Sequence, residues 1–210
     1  METNLTLRTI AYLKAGDKPR KNFIERSAQR KSEGGIMRQY FMKTERLGFS
    51  NWSEHDGNLA ASLWGEPEVT RYICASGVFS QGDIQDRLRT EIDNYRLYHV
   101  QYYPVFELSS GELAGCCGLR PFEPPKNIYE LGFHFRKEFW HKGYGYEAGT
   151  AAIQYGFHTL HVSEIRAGHH PDNTASRALL TKLGFQYIGD TYYAPTGLYH
   201  PSYQRKQTQE

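Results

Sequence analysis

Hydrophobic patterning begins late in this chain. Residues 14–35, "KAGDKPRKNFIERSAQRKSEGG", hold few large apolar side chains and no sustained period, whereas from Met42 onward apolar positions recur every two or every three to four residues. "TERLGFSNW" (44–52) reads as a strand. In "SEHDGNLAASLWGEP" (53–67), Ser53 is a candidate N-cap, and Leu59, Ala60, Leu63 and Trp64 share one helical side. "GDIQDRLRTEIDNYRLYH" (82–99) spaces Ile84, Leu88, Ile92 and Tyr95 as an amphipathic helix does. Strand-like runs follow at 102–109, 112–120 and 127–137, the first two joined through Ser110-Gly111, a hairpin turn in which the glycine takes positive φ. Residues 148, 149, 152, 153, 156, 157 and 160 make one continuous stripe of a long helix, with its small residues near the start, which predicts close approach to a sheet. A strand at 163–170, a helix at 173–184 closed by Gly184, and strands at 185–193 and 198–206 end the pattern. The order is that of a mixed α/β (α+β) domain: an antiparallel meander, a helix, then alternating strand and helix.

The 210 residues suit one domain with a short appendage. We expect residues 1–41 to be a disordered or over-extended basic segment, since Met37 and Met42 lie just before the patterned sequence, with the folded domain at 42–205 and a tail at 206–210. The net charge of +2 is uneven: residues 1–36 carry eight Lys/Arg against four Asp/Glu, so the remainder is slightly acidic. That balance argues against a polyanion-binding body, so no nucleic-acid partner is expected, although the basic segment leaves a nucleic-acid-binding tail as the alternative. With no apolar run of about 18 residues and no signal-like N-terminus, no membrane partner is expected. Three cysteines, two of them adjacent (Cys116, Cys117), form no metal-ligand spacing, so we expect a reduced, cytoplasmic protein without a metal.

The stretch "WHKGYGYEA" (140–148) opens the long helix. A helix N-terminus leaves unpaired amides and a partly positive end, and glycines let an anion come close. The amides of residues 141–146 are therefore a candidate diphosphate ring, with Lys142 adding charge; a plain strand-to-helix turn is the alternative. A Walker loop is excluded, because no GxxxxGK[ST] is present. Gly143, Gly145 and Ala148 satisfy G-x-G-x-x-A, but "KEFWHK" separates them from the preceding strand, which weakens a Rossmann reading.

"IYELGFHFRKEFWHKGYGYEA", followed by "IRAGHHPDNTASRALLTKLGF", strongly resembles the GNAT N-acetyltransferase superfamily, and most of all its RimJ/RimL-like branch of ribosomal-protein N-terminal acetyltransferases. "TERLGFSNW", "LWGEPEVTRYI" and "LYHPSY" are similar to that branch too, so the resemblance spans roughly 42–205. It implies a mixed, mostly antiparallel sheet of about seven strands flanked by about four helices, with a splayed strand pair holding acetyl-CoA. The family's loop, Q/R-x-x-G-x-G/A, falls on Trp140 to Gly145, with Trp140 replacing the polar residue.

The resemblance implies direct acetyl transfer from acetyl-CoA to a primary amine, a protein N-terminus or a small molecule; a monomer or homodimer is expected, the sequence itself being silent on which. It assigns cofactor contacts to Phe133, His134 and Phe135 on the strand, to His141, Lys142, Gly143, Tyr144, Gly145 and Tyr146 in the loop, and to Asn173 and Ser176 beyond. Ser176 is the expected donor to the CoA sulfur, since Leu180 stands where many GNAT enzymes have a tyrosine acid. Simple N-capping is the other reading of Asp172 or Asn173. Glu130 is the first candidate base or amine-binding group, ahead of His169 and His170. The aromatic stretches at 102–104 and 191–195 are candidate acceptor lining. A catalytically idle acyl-CoA-binding or ribosome-binding module of the same fold is the alternative function.

Overall fold

A computed structural model of the protein describes residues 38–207. The expectations for the basic segment and for the tail fall largely on residues 1–37 and 208–210, outside the described residues. The strands are β1 (Met42–Lys43), β2 (Leu47–Phe49), β3 (Tyr102–Glu107), β4 (Leu113–Glu123), β5 (Ile128–Phe135), β6 (Glu164–Gly168), β7 (Gln186–Tyr193) and β8 (Leu198–Lys206). The α-helices are α1 (Gly57–Trp64), α2 (Pro67–Thr70), α3 (Gln81–Tyr98), α4 (Tyr144–Gln154) and α5 (Thr174–Lys182). All eight strands join one sheet in the order β1-β2-β3-β4-β5-β6-β8-β7. Among the described residues only β5 and β6 pair in parallel.

The eighth strand and fifth helix go beyond the expected seven and four, for local reasons. Of the strand expected over 44–52 only β2 forms; Thr44 N–H donates to Leu47 O at 2.9 Å and turns the chain, so that a short β1 ahead of it becomes the extra strand. Pro67 opens α2 at its first turn, where a missing N–H costs nothing. Ser53, the expected cap, bonds reciprocally with Asp56 before α1, and a cap not foreseen, Ser80 with Asp83, does the same at α3. Gly111 and Gly184 have φ of +75° and +78°, as their turns require.

Each face of the sheet buries its own core. Leu47, Phe49, Val105, Leu119, Leu131 and Ile165 pack with α4 and α5 on one side, while Trp52, Tyr102, Phe106 and Cys116 pack with α1 and α3 on the other. Strand alternation sends the adjacent Cys116 and Cys117 to opposite cores. The small residues of α4 meet two neighbours rather than the sheet alone. A Cβ on Gly149 would lie 2.7 Å from Leu183 Cδ1 beyond α5, whereas one on Gly156, in the π-helical turn that continues α4, would lie 2.7 Å from Leu119 Cδ1 on β4.

Gly118 on β4 is closely approached by the chain entering β3: an added Cβ would stand 2.2 Å from the backbone oxygen of Gln101. Gly118→Ala is therefore expected to cost about 2 kcal/mol or more, seen as a lower urea midpoint at unchanged m-value. A midpoint equal to that of the parent protein would show that these strands part freely.

Candidate active site

The parallel contact of β5 with β6 is short. It covers Ile128–Glu164, Tyr129–Ile165 and Glu130–Arg166, and then the strands diverge. β5 stays paired with β4 as far as Phe135, and β6 stays paired with β8 as far as Gly168. The gap thus exposes one backbone edge of β5. Arg136 N–H donates to Ala114 O on β4, so the two-residue period turns the polar backbone of His134 toward β4 as well. Leu131, Phe133 and Phe135 then face the gap. Of the three strand residues expected to pair with the cofactor, His134 is turned away, and Phe135 O already accepts from Trp140 Nε1 at 2.7 Å. Phe133 keeps its expected place, and Leu131 joins it.

Trp140 therefore has its own use at the first loop position, where it ties the loop to the strand end. Beyond it, His141 (φ +60°) and Gly143 (φ +81°) are both left-handed, and α4 begins at the next residue, Tyr144, where helix-start amides lack intrahelical partners. Gly143 is needed for its φ. At Gly145 a Cβ would lie 2.9 Å from Leu179 Cδ2, so a larger residue there would push that leucine aside. The Tyr144 side chain is buried against Phe139, with its hydroxyl on Glu107, so this residue offers only its amide. The Tyr146 ring is exposed beneath Lys182. Lys142 Nζ lies over the Phe139 ring, 4.8 Å from its centroid.

Arg46 braces this loop, a role the sequence did not signal. Its Nη1 donates to Lys142 O at 2.9 Å, and its Nε to Glu147 Oε2 at 2.7 Å. Burial alone would raise the pKa of Glu147, but hydrogen bonds from Thr44 and Arg46 outweigh it and hold the carboxyl below its ordinary value.

On the other lip of the gap, Asn173 Oδ1 accepts from Ser176 N–H at 3.0 Å and caps α5. The capping reading thus holds for Asn173, and Oδ1 is committed to it. Ser176 sits half-buried one turn before Leu180, which is 1% exposed inside the core. His169 is buried, stacked on Tyr203 and bonded to its hydroxyl at 3.2 Å, a packing histidine. His170 lies in a row of rings, 5.0 Å from Tyr72 and 5.5 Å from His200, with Tyr193 next at 4.8 Å from His200.

Glu130 is the last residue before the strands part, and its Oε2 accepts from Tyr102 OH at 3.2 Å. Burial, and then the charge of Glu130, push the Tyr102 hydroxyl well above the ordinary tyrosine range, so it stays a donor. Of the two aromatic stretches, Tyr102 and Tyr193 belong here; Tyr103 is core, its hydroxyl on His99 O. Trp64 Nε1 donates to His134 Nδ1 at 3.1 Å, which leaves the ring proton on Nε2. Burial, with Arg87 and Arg120 nearby, holds His134 neutral, far below its usual pKa. Among the described residues no cluster of metal-ligating side chains occurs.

An open strand edge beside the N-terminus of α4 fits a CoA thioester: an amide-bearing arm matches the edge, and a diphosphate matches the unpaired amides of a helix start. Together with the mixed sheet, this defines a GNAT-type acyltransferase, and the parallel doubly wound sheet of a Rossmann domain is excluded. The chain belongs to the GNAT acetyltransferases: the model of the Acetyltransferase (GNAT) domain matches residues 46–186. An uncharacterized N-acetyltransferase, p20, of Bacillus licheniformis is 28% identical, over 70% of this chain and 82% of its own. The [ribosomal protein uS5]-alanine N-acetyltransferase of Escherichia coli is 41% identical over 59 residues, 28% of this chain and 30% of its own. Among solved structures, a GNAT-family acetyltransferase from Bacillus anthracis superposes with TM-score 0.66 at 24% identity, covering 78% of this chain and 96% of its own. RimL, a ribosomal L7/L12 α-N-protein acetyltransferase in complex with coenzyme A, has the same fold at TM-score 0.66 and 16% identity, covering 78% and 95%.

Gly143→Glu places bulk and negative charge in the loop and is expected to weaken CoA binding at least tenfold by calorimetry. Unchanged affinity in a folded variant would remove the diphosphate role of this loop.

Proposed function

We propose that this chain moves the acetyl group of acetyl-CoA directly to a primary amine, and that the acceptor is a protein N-terminal α-amine or a small-molecule amine. The observation that carries this reading is the parting of β5 from β6 after Glu130, beside the start of α4. Acetyl-CoA supplies an activated thioester there. Leu131 and Phe133 hold its arm along the open edge, and the amides of residues 141–146 hold its diphosphate. Asn173 shapes the start of α5, so that Ser176 faces the same opening and donates to the thiol sulfur as it leaves. Glu130, with one oxygen held by Tyr102, receives the amine and takes up its proton.

Two kinds of support favour an α-amine. The local match to an enzyme named for the alanine of ribosomal protein uS5 is one. The other is chemical. An α-amine of pKa near 8 is about 10% neutral at pH 7, whereas a lysine-type amine is below ~0.1% neutral, so the first demands less of Glu130. A catalytically idle acyl-CoA-binding module is the second reading, favoured by Leu180 in the place of a tyrosine acid.

Thiol release from acetyl-CoA over a panel of peptide N-termini, amino acids, polyamines and aminoglycosides separates the two readings. We expect turnover with at least one amine, and a drop of about a hundredfold in kcat for Ser176→Ala with the acetyl-CoA KM little changed. Tight CoA binding without turnover of any amine would favour the idle module.

A further inference from the structure

Glu130 faces a natural partner that it does not take. Arg120 stands directly opposite it across β4 and β5, the position from which an opposite charge normally pairs. The Arg120 guanidinium goes instead to Glu91 on α3, with Nη2 on Oε1 and Nε 3.4 Å from Oε2. Glu91 is fully buried and also accepts from Tyr102 N–H at 2.8 Å. Arg87 lies beside it, with Nε 3.0 Å from Oε1 at an angle that makes no hydrogen bond. The Tyr102 ring lies beneath Arg120, 4.4 Å from its guanidinium carbon, and rests on Gly132, where a Cβ would come within 2.1 Å of the ring. Only a glycine at 132 lets that ring lie flat on β5 and reach Glu130. Among the described residues, Tyr102 is the one hydrogen-bond partner Glu130 has, and it uses Oε2.

We infer that Tyr102 and Glu91 are positioning residues for Glu130: Tyr102 fixes one carboxylate oxygen, and Glu91 draws Arg120 away so that the other oxygen stays open to the acceptor amine. This rests on the reading of Glu130 as the amine-receiving group. Glu91 therefore acts from a distance. Without it, Arg120 would close on Glu130 and compete with the incoming ammonium.

The test uses the full chain with n-butylamine and the dipeptide amide Ala-Ala-NH2 as acceptor probes. Tyr102→Phe keeps the ring and its packing, and is expected to raise the acceptor KM about tenfold while the acetyl-CoA KM stays within about twofold. Glu91→Gln is expected to raise the acceptor KM too, and Arg120→Met added to it is expected to restore that KM. A crystal structure of Glu91→Gln should show the Arg120 guanidinium bonded to Glu130, and this arm decides alone if neither probe is turned over or if only this variant fails in solution. An unmoved acceptor KM in Tyr102→Phe, or Arg120 still turned away in those crystals, overturns the inference. Glu130→Gln separates the two levels. If it is silent, the amine-receiving role fails; if it is inactive while Tyr102→Phe is silent, only the positioning fails.

Discussion

The end of pairing between β5 and β6 after three residue pairs is the constraint around which the rest is arranged. Neither strand can relieve it. β5 is held by β4 through Phe135, and β6 is held by β8 through Gly168, so each is anchored by its outer neighbour. The gap is consequently a property of the sheet. A strand edge inside a protein needs partners for its N–H and C=O groups. Trp140 supplies one of them by donating to Phe135 O, and the edge at Leu131 and Phe133 is left for an extended, amide-bearing molecule. The starts of α4 and α5 follow the two diverging strands, which brings both helix N-termini to the same opening.

The two faces of the sheet divide the work. The face under α4 and α5 is apolar and closely packed, with Gly145 and Gly149 letting α4 approach Leu179 and Leu183. The opposite face, under α1 and α3, carries Glu91, Arg87, Arg120 and His134 around Tyr102. A buried charge cluster of that kind is a weak source of stability, since well-packed apolar residues often replace one without loss. Its place beside Glu130 gives it another use. Burial, with the same two guanidiniums beside it, holds His134 neutral, and both guanidiniums are ion-paired with Glu91.

Periodicity and turn chemistry carried most of the architecture. The α3 stripe, the Ser110-Gly111 hairpin and the Gly184 stop were readable because local geometry dictates those residue types. Glu130 and the glycine loop stood out because they lie inside a motif with order and spacing, and the structure puts them where β5 leaves β6 and where α4 begins. What escaped the sequence depends on contacts between distant segments. Arg46 meets Lys142 and Glu147 about a hundred residues away, and no local pattern announces that. His134 looked equivalent to Phe133 because a linear motif does not say which strand edge a backbone group faces; only the pairing with β4 decides it. Likewise, Tyr102 and Tyr103 are indistinguishable in sequence, yet alternation sends one to Glu130 and the other into the core.

Leu180 shows how such a site can shift a task along one helix. It is 1% exposed and packed in the core beneath α5, so a tyrosine hydroxyl there would be buried among apolar side chains and would need the helix to move. Ser176 precedes it by four residues and so shares its helical face, one turn closer to the Asn173 cap and to the opening. On the proposed reading, the donor to the departing thiolate keeps this helix and changes its turn. The hydroxyl then stands one turn nearer the end of the helix where the macrodipole favours negative charge, and that is the physical ground for giving Ser176 the role.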